Sequence, residues 1–171
     1  ALIAALEKVG DLYSKGEYFL PQMIASADTM KKGFNILKPL MLQKKESVFG
    51  RIVICTVKGD IHDIGKNIVA MMLENHGFDV IDLGKDVPNE NLIEAIQQHK
   101  PDIVCLSSLL TTTMPNMGII AKEINTLKLP CKLMIGGAVV TKEYADSIGA
   151  YYGKDAVEAV AVAKHIVKKS E

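Results

Sequence analysis

The sequence has no net charge: 20 lysines and arginines balance 20 aspartates and glutamates in 171 residues, so no overall field draws in nucleic acid or an anionic membrane. No basic segment of a DNA-binding kind is visible. No uninterrupted apolar stretch approaches the roughly 20 residues that a membrane span needs, and the opening ALIAALEKVGDLY is interrupted by polar residues, unlike a signal sequence. Cysteine is scarce. Cys55, Cys105 and Cys131 form no CxxC and leave one odd, and the first two lie inside apolar runs, which fits buried thiols in a reducing cytoplasm. Neither a GxGxxG nor a P-loop motif occurs, so the usual signatures of a nucleotide site are missing. What the chain does have is apolar residues, 49% of its length, enough for the core of one domain plus a smaller attachment.

Two regions differ in rhythm. Up to about Lys45 the apolar residues recur three and four apart, at Leu2, Leu6 and Val9 and then at Leu20, Met23, Ile24, Ala27, Met30, Phe34 and Leu37, which is the period of helices. Pro21 suits the first turn of the second helix, where its missing N–H costs nothing, and Pro39 is expected to bend or end it. SKGEY between the two reads as a turn. After the charged link QKKES, short apolar runs alternate with amphipathic stretches, the pattern of repeated βα units. A helical segment is therefore expected over 1–46 and an α/β domain over 47–171. Strands are expected at 51–57, 78–83, 102–107, 132–135 and, weakly, 150–152, with helices at 67–76, 89–99, 116–127, 141–148 and 155–169. Gly77 reads as a C-terminal cap. Strands this continuously apolar belong in a parallel sheet covered on both faces. The expected fold is α/β, a flavodoxin-like doubly wound sheet of five parallel strands in the order 2-1-3-4-5.

That topology places ligands at the carboxyl ends of the strands, where the loops GDIHDIG, SSLLTTTM, GGAVVT and YYGKDA meet. Each has an ordinary explanation. His62 alone is more often a solvated loop histidine than a ligand, and Asp60 or Asp63 would serve to cap the next helix. Gly136 and Gly137 could form a tight turn, although paired glycines at a strand end also admit a ligand close to the backbone. Ser107 and Thr111 to Thr113 could satisfy buried backbone. Their convergence on one rim is what raises a functional reading.

The spacing is more specific than the residues. Asp60-Ile-His62-Asp-Ile-Gly65 matches the DxHxxG pattern of cobalamin-binding domains, and the intervals to Ser107-Ser-Leu109 and to Gly136–Gly137 suit that family's later SxL and GG elements. The stretch VGDLYSKGEYFLPQMIASADTMKKGFNILKPL resembles the helical cap preceding that domain in methionine synthase and in small corrinoid proteins of methyltransferase systems. Over nearly its whole length the chain thus resembles corrinoid methyl-carrier proteins.

The resemblance implies a cobalamin held without its own base. His62 would be the lower axial ligand to cobalt, with Asp60 on its other ring nitrogen and Thr113 completing the relay in the place of a serine in methionine synthase. Ser107 would hydrogen-bond the displaced base, Leu109 would pack near the corrin or tail, and Thr111 would meet a polar edge. Gly59, Ile61 and Asp63 would contact the corrin amides, while Gly65, Gly136 and Gly137 would clear a channel for the tail. Tyr13, where methionine synthase has phenylalanine, and Leu20 would cover the reactive face, with Met23 nearby. The implied function is to carry a methyl group on cobalt between two proteins. One is a substrate:corrinoid methyltransferase for methanol, a methylamine or an aryl methyl ether; the other delivers the group to tetrahydrofolate or coenzyme M, and a reductive activase attends. No catalytic residue of its own is implied. Family members carry about four helices before the sheet and this chain shows the last two, so an incomplete cap on a truncated or processed piece, prone to self-association, is expected. The alternatives are the cobalamin domain of a mutase, which has no need of the GEYFLPQM cap, a cobalamin-sensing regulator, and a receiver domain, whose acidic cluster after strand 1 is here replaced by histidine and glycine.

Overall fold

The apolar run RIVICT is buried from its second residue onward and forms the first strand, β1 (Arg51–Thr56). The computed structural model describes residues 5, 8, 9, 11–13, 15–41 and 49–168, so the expected helix positions Leu2 and Leu6 and the link QKKES lie outside the described residues. The chain divides into two compact units, Ala1–Gln43 and Lys44–Glu171.

In the first unit, residues 5, 8, 9 and 11–13 are helical, Gly16 lies in the SKGEY turn with φ +72°, and α1 (Leu20–Met41) follows. Gln22 reaches back so that its Oε1 accepts the N–H of Phe19 at 3.0 Å, satisfying a group that a helix start leaves open. Pro39, expected to bend or end this helix, does not end it: α1 continues to Met41. So close to the terminus a proline forfeits a single bond of the ladder.

In the second unit β1 is followed by α2 (Ile64–Asn75), β2 (Asp79–Asp82), α3 (Asn89–His99), β3 (Ile103–Ser107), α4 (Pro115–Thr126), β4 (Lys132–Gly136), α5 (Lys142–Ser147), β5 (Tyr151–Tyr152) and α6 (Ala156–Lys168). The five strands form one sheet in the order β2-β1-β3-β4-β5, parallel throughout. Alternate residues of each strand feed opposite layers. Val53, Cys55, Val104, Leu106, Leu133 and Ile135 pack with Leu92 and Ile96 of α3 and Met117, Ile120 and Ile124 of α4. Ile52, Ile54, Ile103, Cys105 and Met134 pack with Ala70 and Leu73 of α2 and Val160, Ala163 and Ile166 of α6. Each large side chain so buried contributes about 1.5–3 kcal/mol relative to exposure. Burial also pushes the Cys55 thiol up to about 12 and raises Cys105 further, so neither is a reactive thiolate at neutral pH.

Two details fix the loops. Helix α2 starts three residues before the expected Asn67, because the Asn67 N–H already donates to the carbonyl of Asp63 at 2.8 Å. At its end Phe78 N–H donates to Leu73 O at 3.1 Å and Gly77 N–H to Glu74 O at 3.0 Å, the paired closing bonds that need a left-handed residue. Gly77 supplies it at φ +88°.

Candidate functional site

Strands β1, β3 and β4 end side by side, with Thr56 opposite Ser107 and Ser107 opposite Gly136. The chain after β1 must turn sharply to enter α2; it does so through Gly59 at φ +84°, with Asp60 N–H donating to Val57 O at 3.1 Å. This turn drives Asp60 into the protein, where it is fully buried, while the His62 side chain stays 46% exposed.

A buried carboxylate must be satisfied on both oxygens. Oδ1 of Asp60 accepts the backbone N–H of His62 at 3.0 Å and lies 2.7 Å from His62 Nδ1. Oδ2 accepts the N–H of Leu109 at 2.7 Å, the N–H of Leu110 at 3.3 Å and the hydroxyl of Thr113 at 3.0 Å, and the Ser108 hydroxyl stands 3.3 Å away. Burial pushes the acid's pKa up, but the hydrogen bonds from the His62 and Leu109 backbone, the His62 ring and Thr113 together outweigh it and hold Asp60 well below the usual carboxylate range. An ionised Asp60 can only accept. It therefore holds a proton on His62 Nδ1, so that the neutral ring carries its lone pair on Nε2, an atom that bonds nothing among the described residues.

The remaining expected residues fall around this pair. Thr113 sits on Asp60, and Ser108 and Thr113 lie 2.8 Å apart, oxygen to oxygen. Ser107 is partly buried, and its carbonyl accepts Val57 N–H at 3.1 Å. Ile61, Leu109 and Leu110 expose 62%, 39% and 39% of their surface, a rim of apolar side chains in the His62 and β3–α4 loops. Thr111 is also exposed. Asp63 takes the N-cap position of α2 and makes no side-chain capping bond. The three glycines differ. A side chain on Gly65 would meet nothing within 4 Å, whereas on Gly136 it would stand 2.6 Å from Gly153 O and on Gly137 1.9 Å from Ser108 O. Room is thus left at Gly65, while Gly136 and Gly137 let the loops after β3 and β5 close onto β4. Tyr13, 43% exposed, belongs to the first unit, as does Leu20, whose side chain lies outside the described residues.

Three participants carried no sequence signal that singled them out. Ser108 is the inward member of a serine pair of which Ser107 was the expected one. Lys66 is buried with its Nζ 2.6 Å from Asp82 Oδ1 and 2.7 Å from Asn67 Oδ1. Asp86 accepts the Gly59 N–H at 2.7 Å. Ser108, inside the Ser107-Ser-Leu109 element, and Lys66, directly after Gly65, stand next to the motif residues, whereas Asp86 lies far from them in the sequence.

The donor set bears on what the site holds. Among the described residues no group of three or more His, Cys, Asp and Glu could hold a metal ion, so a bare cation finds no cage. One fixed imidazole nitrogen, an apolar rim and open space at Gly65 instead fit a metal that arrives inside its own ring of ligands and needs a single axial donor.

Comparison with known proteins identifies the family. Residues 50–161 match the family model described as B12 binding domain, and residues 1–38 match a second model of the same description. The trimethylamine corrinoid protein of Methanosarcina barkeri is 43% identical over 166 residues, covering 94% of this chain and 76% of that protein. The solved monomethylamine corrinoid protein of the same organism superposes with a TM-score of 0.87 at 35% identity, covering 97% of this chain and 80% of that one. A chain of the methanol:cobalamin methyltransferase complex, also from M. barkeri, gives 0.69 at 32% identity over 98% of this chain and 65% of that one.

Proposed function

The chain belongs to the B12-binding domain family, a corrinoid is its cofactor, and on that premise we propose that it is the methyl-carrier subunit of a methyltransferase system and binds its cofactor through His62. When bound, the corrinoid supplies a cobalt that accepts and releases the methyl group. His62 offers Nε2 to the metal in place of the cofactor's own base. Asp60 holds the Nδ1 proton and thereby orients the ring and raises its basicity, and Thr113 keeps Asp60 in position. Leu109, Ile61 and Thr111 meet the macrocycle, Gly59 and Asp63 meet its amides, and Ser107 takes the displaced base in the space that Gly65, in the first turn of α2, leaves open. Tyr13 and Leu20 cover the reactive face; this assignment stands on the sequence resemblance.

The observation that carries the reading is the fully buried Asp60 carboxylate 2.7 Å from Nδ1 of a half-exposed His62. Loading falls to a substrate:corrinoid methyltransferase and unloading to a methyltransferase that uses tetrahydrofolate or coenzyme M, with a reductive activase as third partner, all in the cytoplasm. The names of the relatives favour a methylamine as donor. To test the ligand, the parent and His62→Ala proteins are mixed with hydroxocobalamin. His62→Ala is expected to retain some cofactor with an absorption spectrum shifted away from the histidine-ligated form, and spin resonance of the Co(II) state of the parent with 15N-labelled histidine is expected to show a histidine nitrogen. A spectrum indifferent to the substitution rejects the assignment. Methylation assays of the parent with methylamine and methanol methyltransferases then decide the donor.

A further inference from the structure

Asp86, in the loop between β2 and α3, has φ +52°, a left-handed conformation that aspartate tolerates better than most residues but that still costs free energy. Such a conformation persists where the surroundings over-determine it, and here both ends of the residue grip the loop that carries His62. Its Oδ1 accepts the Gly59 N–H at 2.7 Å, and its own N–H donates to Asp60 O at 3.0 Å. The approach is prepared by the extension of the β1–β2 ladder, in which Thr56 N–H donates to Gly84 O at 3.0 Å and Val87 N–H to Thr56 O at 3.2 Å, with Val57 and Val87 paired in a parallel bridge. From the opposite side Asn116 Nδ2 donates to Lys58 O at 2.9 Å. Residues 58–60 are thus held between the β2–α3 loop and the start of α4, and among the described residues the side chain that holds them on the β2 side is that of Asp86.

We infer that Asp86 is a positioning residue for His62: its carboxylate pins Gly59, the freest residue of the loop, so that the imidazole is presented in one orientation. The inference rests on the reading of His62 as the cobalt ligand. Gly59 and Asp86 are both exposed, so water replaces the lost bond when the carboxylate is removed and the fold loses little. What the loop loses is its single conformation, and an axial ligand depends on that.

Two substitutions separate positioning from stability. Asp86→Gly removes the carboxylate and suits the left-handed backbone; Asp86→Asn keeps an oxygen acceptor in a residue that also accepts this conformation. Each is compared with the parent and with His62→Ala by thermal unfolding of the cofactor-free protein, by titration with hydroxocobalamin and by the histidine-nitrogen signature of the Co(II) state. Asp86→Gly is expected to melt like the parent, to bind cobalamin about tenfold more weakly, as losses around a metal ligand do, and to show a reduced fraction of histidine-ligated cobalt, while Asp86→Asn behaves as the parent. Parent-like affinity and signature in Asp86→Gly overturn the inference with the His62 assignment intact, as does an Asp86→Asn protein as defective as Asp86→Gly. A signature that survives in His62→Ala overturns the ligand reading itself, and Asp86's role with it.

Discussion

At the scale of single residues, the glycines of the site separate two requirements that a sequence motif merges. Gly137 has φ +127°, and a β-carbon there would stand 1.9 Å from Ser108 O; Gly137→Ala must therefore move the β3–α4 loop that supplies the Leu109 N–H and the two hydroxyls facing Asp60. It is expected to cost on the order of 3 kcal/mol of stability in urea unfolding and to lose cobalamin binding. Gly65, in the first turn of α2, meets nothing within 4 Å. Gly65→Ala is expected to leave stability equal or raise it by about 0.5 kcal/mol, yet to weaken cobalamin binding, because the added methyl enters space that the cofactor tail is proposed to use. A Gly65→Ala protein that binds like the parent removes Gly65 from the site. The contrast also shows what could be read without coordinates. Asp60 and His62 were legible because one turn of chain carries both. Ser108 was not: neighbouring residues at the end of a strand point to opposite sides, and the sequence does not say which of the two serines faces inward.

At the scale of elements, Lys66 and Asp82 join the first turn of α2 to the end of β2. A cation at a helix N-terminus opposes the helix dipole, and the Lys66 side chain is 1% exposed, so its place depends on Asp82 and Asn67. The two partners are not equivalent, since the Asp82 side chain is 28% exposed and water can reach it. Asp82→Ala strands a buried ammonium and is expected to cost on the order of 3 kcal/mol, Lys66→Met to cost less, and the double substitution to recover part of the loss; urea midpoints of the four proteins measure this. Equal single losses with no recovery contradict a buried pair. This tie between β2 and α2 left no trace in the sequence because its ends are 16 residues apart and neither breaks a pattern. The strands were legible, since their apolar runs follow from burial on both faces, and so was the two-residue β5, marked by Tyr151 and Tyr152. Ends were read less well. The start of α2 at Ile64 is set by a backbone bond to Asp63, and α1 passes Pro39 because one missing N–H near a terminus does not stop a helix already formed.

At the scale of the whole molecule, equal numbers of acidic and basic residues leave little net repulsion near neutrality, so the response to acid is governed by individual carboxylates whose pKa differs between the folded and unfolded chain. Asp60 is the best defined of these. Its pKa is lowered on folding from the ordinary value of 3.8. The folded state therefore binds the proton less readily than the unfolded one, and the ionised carboxylate contributes stability that is complete above about pH 5 and drains away as the pH falls through 4 and below. Asp60→Asn removes that contribution. Its amide nitrogen also has to face donors from Leu109 and Thr113 or from His62, so the variant is expected to be markedly less stable than the parent at pH 7. The gap between the two urea midpoints should then narrow steadily from pH 5 to pH 3, because the parent loses in acid what the variant never had. A gap of constant size across that range means that Asp60 enters the folded state with no change in its proton affinity, and the ionised carboxylate on which the orientation of His62 depends would have no support from the molecule's stability.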